Sequence, residues 1–485
     1  MERFDLVVLG AGPAGHFGAI QAAKAGYSVA VIEEQSRLGG NSTNLGTIPS
    51  KSLREATLHL SGIRQRSFYG RNYRVKHVES LADLNLSAHQ VIARNTSVYE
   101  DQLRRNGVRL YRGHAAFVGE RQIVVERPGA IEVLQGEKVL IAVGSRPARP
   151  PGLDFDGDRV VDSNQILSLE RVPNRLIVVG AGVIGVEYAC IFAAIGCQVT
   201  LIHDRPEFLD FVDRQLVEVL KYKMMTQGVD FRMNESVVDL GRAGDYVYAH
   251  TASHKQIVGD CVLFSGGRQG NTDQINVEAV GLTADSRGRL KVDEFGQTEV
   301  HGVYAAGDVI GFPALAATSR EQGRRAVCHA FGIGCLDVDT LLPYGIYAIP
   351  EISMIGPTEQ ELTAKSVAYE VGRARYCEIA RGQILGDVDG LLKILFDPET
   401  LRILAVHVIG EGATELIHIG QAVHALGGDL EYLAEAVFNY PTLAECYKVA
   451  ALDGINRANL RRRCQAMAKG EPVERDPEEE CQLTD

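Results

Sequence analysis

The sequence predicts an α/β chain built from two copies of a strand, turn, helix and strand unit, followed by a third domain of α+β order. Three observations carry this. A buried-strand run, Phe4-Asp5-Leu6-Val7-Val8-Leu9, leads at once into Gly10-Ala11-Gly12-Pro13-Ala14-Gly15 and a helical stretch through Ala25. The same order returns with Arg175-Leu176-Ile177-Val178-Val179, then Gly180-Ala181-Gly182-Val183-Ile184-Gly185 and a helical stretch carrying Glu187. From Tyr344 the pattern changes to strands at 391–396 and 403–409 ahead of a helical stretch at 413–426. At 485 residues the chain is too long for one core and suggests about three domains at roughly 150 residues each.

Gly10, Gly12, Pro13, Ala14 and Gly15 make a G-x-G-x-x-G turn. Its glycines let the backbone approach a pyrophosphate, and the helix N-terminus faces the phosphate charge. A second strand, 28–32, ends at Glu33-Glu34, placing an acid ~20 residues beyond the turn where it can accept from a ribose hydroxyl. Together these features point to a Rossmann-like dinucleotide site; a surface glycine turn with Glu33 merely solvated is the alternative. In the second unit, Gly180, Gly182, Val183, Ile184 and Gly185 repeat the turn, and the strand at 198–202 ends in His203-Asp204-Arg205. Two dinucleotide folds imply two dinucleotides. A carboxylate at that strand end favours a free ribose hydroxyl and basic groups favour a 2′-phosphate. His203 and Arg205 therefore lean towards NADP, Asp204 leans back, and the reading in which all three face solvent stays open.

Composition narrows the class. Hydrophobic residues at 45% and charged residues at 23% read as a soluble globular chain. The net charge of −12 argues against a phosphate-backbone groove, so no nucleic-acid partner is expected. No run approaches about 18 uninterrupted apolar residues, so no membrane span is expected, and the N-terminus enters a strand without a basic, then apolar, leader; the expected setting is cytoplasmic. The nine cysteines are odd in number and form neither C-x-x-C nor a metal spacing with histidine, so reduced, mostly buried thiols and no metal are expected. Residues 53–112 look helical and polar, with insertion character at 67–77. The strand 138–143 stops at a turn rich in Pro147, Pro150, Pro151 and Gly152, which marks a domain boundary. The expected domains are 1–150, 151–270, a return to the first fold over 271–343, 344–457, and a polar, disordered tail over 458–485. The end of that tail, 471–485, carries seven acids and two prolines and reads as disordered.

A further set of residues carries a resemblance over 3–456. Leu38-Gly39-Gly40-Asn41-Ser42-Thr43-Asn44-Leu45-Gly46-Thr47-Ile48-Pro49-Ser50-Lys51, Gly307-Asp308 and Asn439-Tyr440-Pro441-Thr442-Leu443-Ala444-Glu445 join the two glycine turns. With them the chain resembles the two-dinucleotide flavoprotein disulfide reductases, and among these the branch of soluble, FAD-containing pyridine nucleotide transhydrogenases. In the family frame the positions of Ser42 and Thr47 are redox cysteines and that of Tyr440 is a thiol-handling histidine. The transhydrogenase branch shares Thr47 and Tyr440 but keeps the first cysteine, so Ser42 is a departure; the tail from Ala458 has no counterpart. The resemblance implies FAD in the first fold, held by Gly10, Gly12, Pro13, Ala14, Gly15, Glu33, Gly40, Asn41, Ser42, Thr47, Lys51, Ala115, Gly144, Gly307, Asp308, Leu315 and Ala316. It implies NAD(P) as substrate in the second, at Gly180, Gly182, Val183, Ile184, Gly185, Glu187, His203, Asp204, Arg205 and Gly267. Asp308 would end a strand near the ribityl chain, with the helix that begins near Leu315-Ala316-Ala317 aimed at the flavin ring, where its N-terminus would stabilise negative charge. A homodimer through the third domain is implied as well.

The resemblance also implies that Lys51 and Glu187 meet beside the flavin, one from each fold, as the catalytic pair; a mere interdomain salt bridge is the alternative. A buried ion pair adds little stability, which leaves room for such a role. Without a dithiol the flavin can discharge only to a second nicotinamide, to a diffusible acceptor or to oxygen. The leading expectation is therefore an FAD-dependent oxidoreductase passing hydride between NADPH and NAD. The alternatives are a diaphorase or quinone-type reductase, and a flavin-bound scaffold whose acidic tail holds a protein partner.

Overall fold

The structure, a computed structural model, describes residues 1–62, 80–150, 152–334 and 341–469. The stretch 67–77, read as an insertion, and the acidic end 471–485 lie outside the described residues. The chain divides into two compact units: Met1–Ser61, Val75–Pro206 and Gly228–Asp337 form the first, and Gly62–Arg74, Glu207–Gln227 and Val338–Asp485 the second.

In the first unit a seven-stranded sheet runs Arg109–Arg112, Val29–Glu33, Glu2–Leu9, Ala130–Ile141, Gln122–Arg127, His114–Gly119, with Val303–Ala305 also paired to Ala130–Ile141. Its central pairs are parallel, with Val8 opposite Val31 and Leu140. Parallel strands covered on both faces read as continuous apolar runs, and Val7, Val8 and Leu9 are accordingly all fully buried. The helix Pro13–Lys24 connects the first two strands, with Pro13 at its first turn, where a missing N–H costs nothing. A second sheet of five strands, Val229–Arg232, Gln198–Ile202, Arg175–Val179, Cys261–Phe264 and Val160–Asp162, is parallel throughout. Its crossover helix, Val183–Ala194, is apolar except for Glu187 and buried from Gly185 to Ala194. Thus the strand, turn, helix and strand unit occurs twice. The long helix Leu81–Arg105 and the shorter Thr47–Ser61 account for the helical character expected over 53–112, which ends in the strand Arg109–Arg112.

The second unit is built on an antiparallel sheet, Tyr344–Ile346, Ile352–Ile355, Ile403–Ile409, Leu391–Phe396 and Glu370–Arg375, with Ala413–Ala425 and Glu445–Lys469 among its helices. Tyr376, Phe396 and Tyr447 fill its core. Two features depart from the sequence reading. Residues 207–227, expected inside the second domain, cluster with this unit: Asp213, cap of the helix Arg214–Thr226, accepts Lys393 Nζ at 2.8 and 2.9 Å, and both side chains are almost fully buried. The last helix also continues through 458–469, where a tail was expected. Ala458 is buried and nothing from Asn459 to Lys469 breaks a helix, whereas charge density alone had suggested disorder.

Candidate active site

The first glycine turn forms a cradle of backbone. Gly10, at φ 99°, hands the strand to the helix, and a Cβ there would lie 2.5 Å from Ala142 O. Gly15 brings the helix against the turn; its Cβ would sit 2.0 Å from Gly10 O. Gly12 is different. It caps the helix with φ −71°, and a Cβ would meet only Gly40 Cα, at 3.8 Å. Gly40 backs the turn so closely that its own Cβ would come within 2.9 Å of Gly12 Cα. Glu33, at the strand end, is buried; its Oε2 accepts from Ala11 N at 2.9 Å and its Oε1 from Gln35 N at 2.8 Å. Burial raises this carboxyl above the usual range, and the two amide donors pull the other way.

Residues 38–51 fold as a short helix, Gly40–Asn44, followed by Thr47–Ser61. Ser42 Oγ donates back to Gly39 O at 3.2 Å, so the position is occupied by a hydroxyl engaged with its own turn. Thr47 opens the second helix, and Lys51 follows one turn later. Lys51 Nζ lies 2.7 Å from Glu187 Oε2 on the helix of the other fold, with the two side chains 24% and 7% exposed. The expected pair is formed.

Asn41, Gly144, Gly267 and Asp308, scattered over the chain, converge on one residue that was not expected. Ser145 follows Gly144 and starts a two-stranded ribbon, Ser145–Pro147 with Arg268–Gly270. Its carbonyl accepts from Asn41 Nδ2 and, at 2.8 Å, from Arg268 Nη2. Its hydroxyl donates to Asp308 Oδ2 at 2.6 Å and accepts from Arg268 Nε at 2.8 Å. Gly144 O accepts from Asn271 N, and Gly267 O from Ala148 N, so both glycines serve the same crossing. Arg268 was also missed, although it directly follows Gly267. Burial pulls it below the usual arginine range, and Asp308 counters this. Gly307 lies against the first cradle: its Cβ would be 3.2 Å from that of Ala14, and its N–H reaches Gln322 Oε1 at 3.0 Å. Asp308 stands in a single 3-10 turn beyond the strand Val303–Ala305 rather than at the strand end. The helix Ala316–Ala330 starts as expected, capped at Leu315 by Thr318. Ala115 is buried on the strand His114–Gly119.

The second turn copies the first. A Cβ at Gly185 would stand 1.9 Å from Gly180 O, one at Gly180 2.8 Å from Ser265 O, and one at Gly182 would meet nothing within 4 Å. Val183 and Ile184 open the helix. The repeat extends to the strand ends. Where Ala11 N meets Glu33, Ala181 N approaches His203 Nδ1 at 3.4 Å, and the imidazole also lies 3.3 Å from the exposed Asp204 carboxylate. Arg205 holds its loop through Asn234 N on its carbonyl at 3.1 Å. Of the cysteines, Cys190, Cys197, Cys261, Cys328 and Cys446 are buried, and burial pushes Cys197, Cys261 and Cys446 up to about 12. Among the described residues no cluster of three or more His, Cys, Asp or Glu could hold a metal ion.

Residues 4–323 match the pyridine nucleotide-disulphide oxidoreductase family and residues 342–451 its dimerisation domain. The chain belongs to this family. It is 51% identical over 461 residues to the soluble pyridine nucleotide transhydrogenase of Mycobacterium bovis, covering 94% of this chain and 98% of that protein. It is 44% identical to the corresponding protein of Photorhabdus laumondii, covering 94% and 99%. Its fold matches the crystal structure of LpdA from Mycobacterium tuberculosis with a TM-score of 0.85 at 26% identity, covering 93% and 99% of the two chains. No described helix is long and apolar enough to cross a membrane.

The family implies FAD in the first fold and NAD(P) as substrate in the second, and the residues fit. Neither packing nor backbone conformation requires glycine at 12 or 182: a methyl group over the helix N-terminus would make only an ordinary contact at 12 and meet open space at 182. An outside group that needs the backbone bare would require it, and a pyrophosphate at a helix N-terminus is such a group. Asp308 adds a second indication: among the described residues no donor reaches its Oδ1, which leaves one carboxylate oxygen for a hydroxyl of the cofactor.

Proposed function

We propose that this protein transfers hydride between NADPH and NAD through FAD bound in the first cradle, with no dithiol in the path. The observation that carries this is the contrast within one stretch: Ser42 and Thr47 stand where the family has its two cysteines, yet Lys51 and its 2.7 Å partner Glu187 are intact. FAD, when bound, supplies a centre that takes hydride from one nicotinamide and gives it to another.

The chain's own residues would do the rest. The bare backbone at Gly12 and the N-terminus of Pro13–Lys24 would bind the FAD pyrophosphate, and Glu33, already fixed by two amide donors, would accept from the ribose. Asn41, Gly144, Gly307 and Asp308 would hold the middle of the cofactor. Gly180, Gly182 and Gly185 would give NAD(P) the same cradle, and His203, Asp204 and Arg205 would face its adenosine ribose. Lys51 and Glu187, on helices of the two folds, would keep opposite charges at one point and orient the reacting rings for direct transfer. With Glu187 buried and Lys51 partly so, such a pair adds little net stability, which supports a positioning duty over a structural one.

Anaerobic mixing with NADPH tests the proposal. Flavin absorbance should bleach and return on adding NAD. Return only with a quinone would support the diaphorase reading, and no bleaching would support a scaffold. We further propose a homodimer through the matched dimerisation domain, for which light scattering at micromolar concentration should give twice the chain mass. A cytoplasmic setting, where both nucleotide pools are met, fits the proposal. The acidic residues 471–485 are proposed as a protein-binding segment on composition alone; removing 470–485 should leave FAD content and NADPH oxidation unchanged.

A further inference from the structure

The hydroxyl of Ser145 joins two groups that are ion-paired but not hydrogen-bonded to each other. Arg268 Nε is 3.7 Å from Asp308 Oδ2, beyond hydrogen-bond length, but 2.8 Å from Ser145 Oγ, which is in turn 2.6 Å from Asp308 Oδ2. The directions are fixed by chemistry. A guanidinium can only donate, so Ser145 Oγ accepts from Arg268 and its own proton goes to the carboxylate. The 2.6 Å separation is that of a charge-assisted O–H to carboxylate bond. Ser145 itself cannot turn away. It is 3% exposed, and its carbonyl is held by Asn41 Nδ2 and Arg268 Nη2.

Building on FAD binding in the first fold, we propose that Ser145 is a positioning residue for the cofactor. Its hydroxyl accepts from Arg268 and donates to Asp308, and so holds Oδ2 in place and leaves Oδ1 to face the cofactor. The placement explains why the relay sits here. Ser145 and Arg268 lie on the ribbon where the chain leaves the first dinucleotide fold and returns to it, so one hydroxyl ties the cofactor's acceptor to both crossings. Ser145 does not touch the reacting rings on this reading; it acts only through Asp308.

The test is a double-mutant cycle on FAD binding to the deflavinated protein, read by quenching of flavin fluorescence. Ser145→Ala should raise the FAD Kd about tenfold, as expected for losing a hydrogen bond to a charged group. Ser145→Thr, which keeps the hydroxyl, should restore most of the affinity. In the Asp308→Asn background, Ser145→Ala should cost little more, because the acceptor it orients is already changed. Wild-type affinity in Ser145→Ala, or a loss that adds in full to that of Asp308→Asn, would overturn the relay. Should Ser145→Ala not fold, Ser145→Thr decides alone: FAD affinity near wild type supports the relay, and a tenfold loss contradicts it. Failure of the wild-type protein to bind FAD would instead remove the functional proposal beneath it.

Discussion

Glu33 and His203 sit at equivalent points of the two repeats, each approached by the amide two residues into its glycine turn, and the difference between them decides what each fold can hold. A carboxylate suits a ribose hydroxyl and repels a 2′-phosphate, whereas an imidazole beside Arg205 excludes neither. NADPH and NADH should therefore both reduce the flavin. Arg205→Ala should weaken NADPH by about tenfold or more, the size of a lost charge-assisted contact, and leave NADH nearly unchanged. Comparing KM for the two nucleotides checks this, and equal effects would remove Arg205 from the specificity site. At this scale the sequence was legible where chemistry is local. The glycines, Glu33, Lys51, Glu187 and Asp308 announce themselves by motif. Ser145 and Arg268 do not, because their bonds span 123 and 163 positions and arise only when the chain crosses between folds.

At the scale of the element, the two glycine-turn helices separate binding from folding. Gly12→Ala has room for its methyl group and an ordinary φ, so the variant should fold with wild-type thermal stability yet lose FAD affinity. Gly15→Ala would place a methyl 2.0 Å from Gly10 O, and should lower soluble yield and melting temperature. Equal outcomes for the two would mean that the cradle is only packing. The same helix carries His16, fully buried against Tyr99 with Nε2 2.7 Å from Gln102 Oε1. Burial depresses its pKa from 6.5 to about 4. The unfolded chain therefore takes up this proton first, and the stability present above 6.5 is lost as pH falls from 6.5 towards 4. That loss is on the order of 3 kcal/mol at most. His16→Asn should flatten the fall of the melting temperature over this window; an unchanged profile would show that His16 charges without cost. Element boundaries were less legible than element order. Charge density in Arg461, Arg462 and Arg463 suggested a tail, but one helical face anchored at Ala458 suffices to carry the helix to Lys469.

For the molecule as a whole, the order of elements was readable because each repeat is a local pattern, and parallel sheets leave unbroken apolar runs in the sequence. The assignment of 207–227 was not readable. It depends on Lys393 meeting Asp213 across 180 residues, and buried charges give no periodic signal. The central claim concerns the whole path of electrons: flavin is the only redox centre between the two nucleotides. Ser42 and Thr47 cannot form a disulfide, and Tyr440 is a phenol where the family places a thiol-handling imidazole. Anaerobic reductive titration with NADPH tests this most directly. The expected result is an end point at about one hydride equivalent per FAD, with no long-wavelength thiolate-to-flavin absorption. Uptake of a second equivalent, or appearance of that absorption, would contradict it.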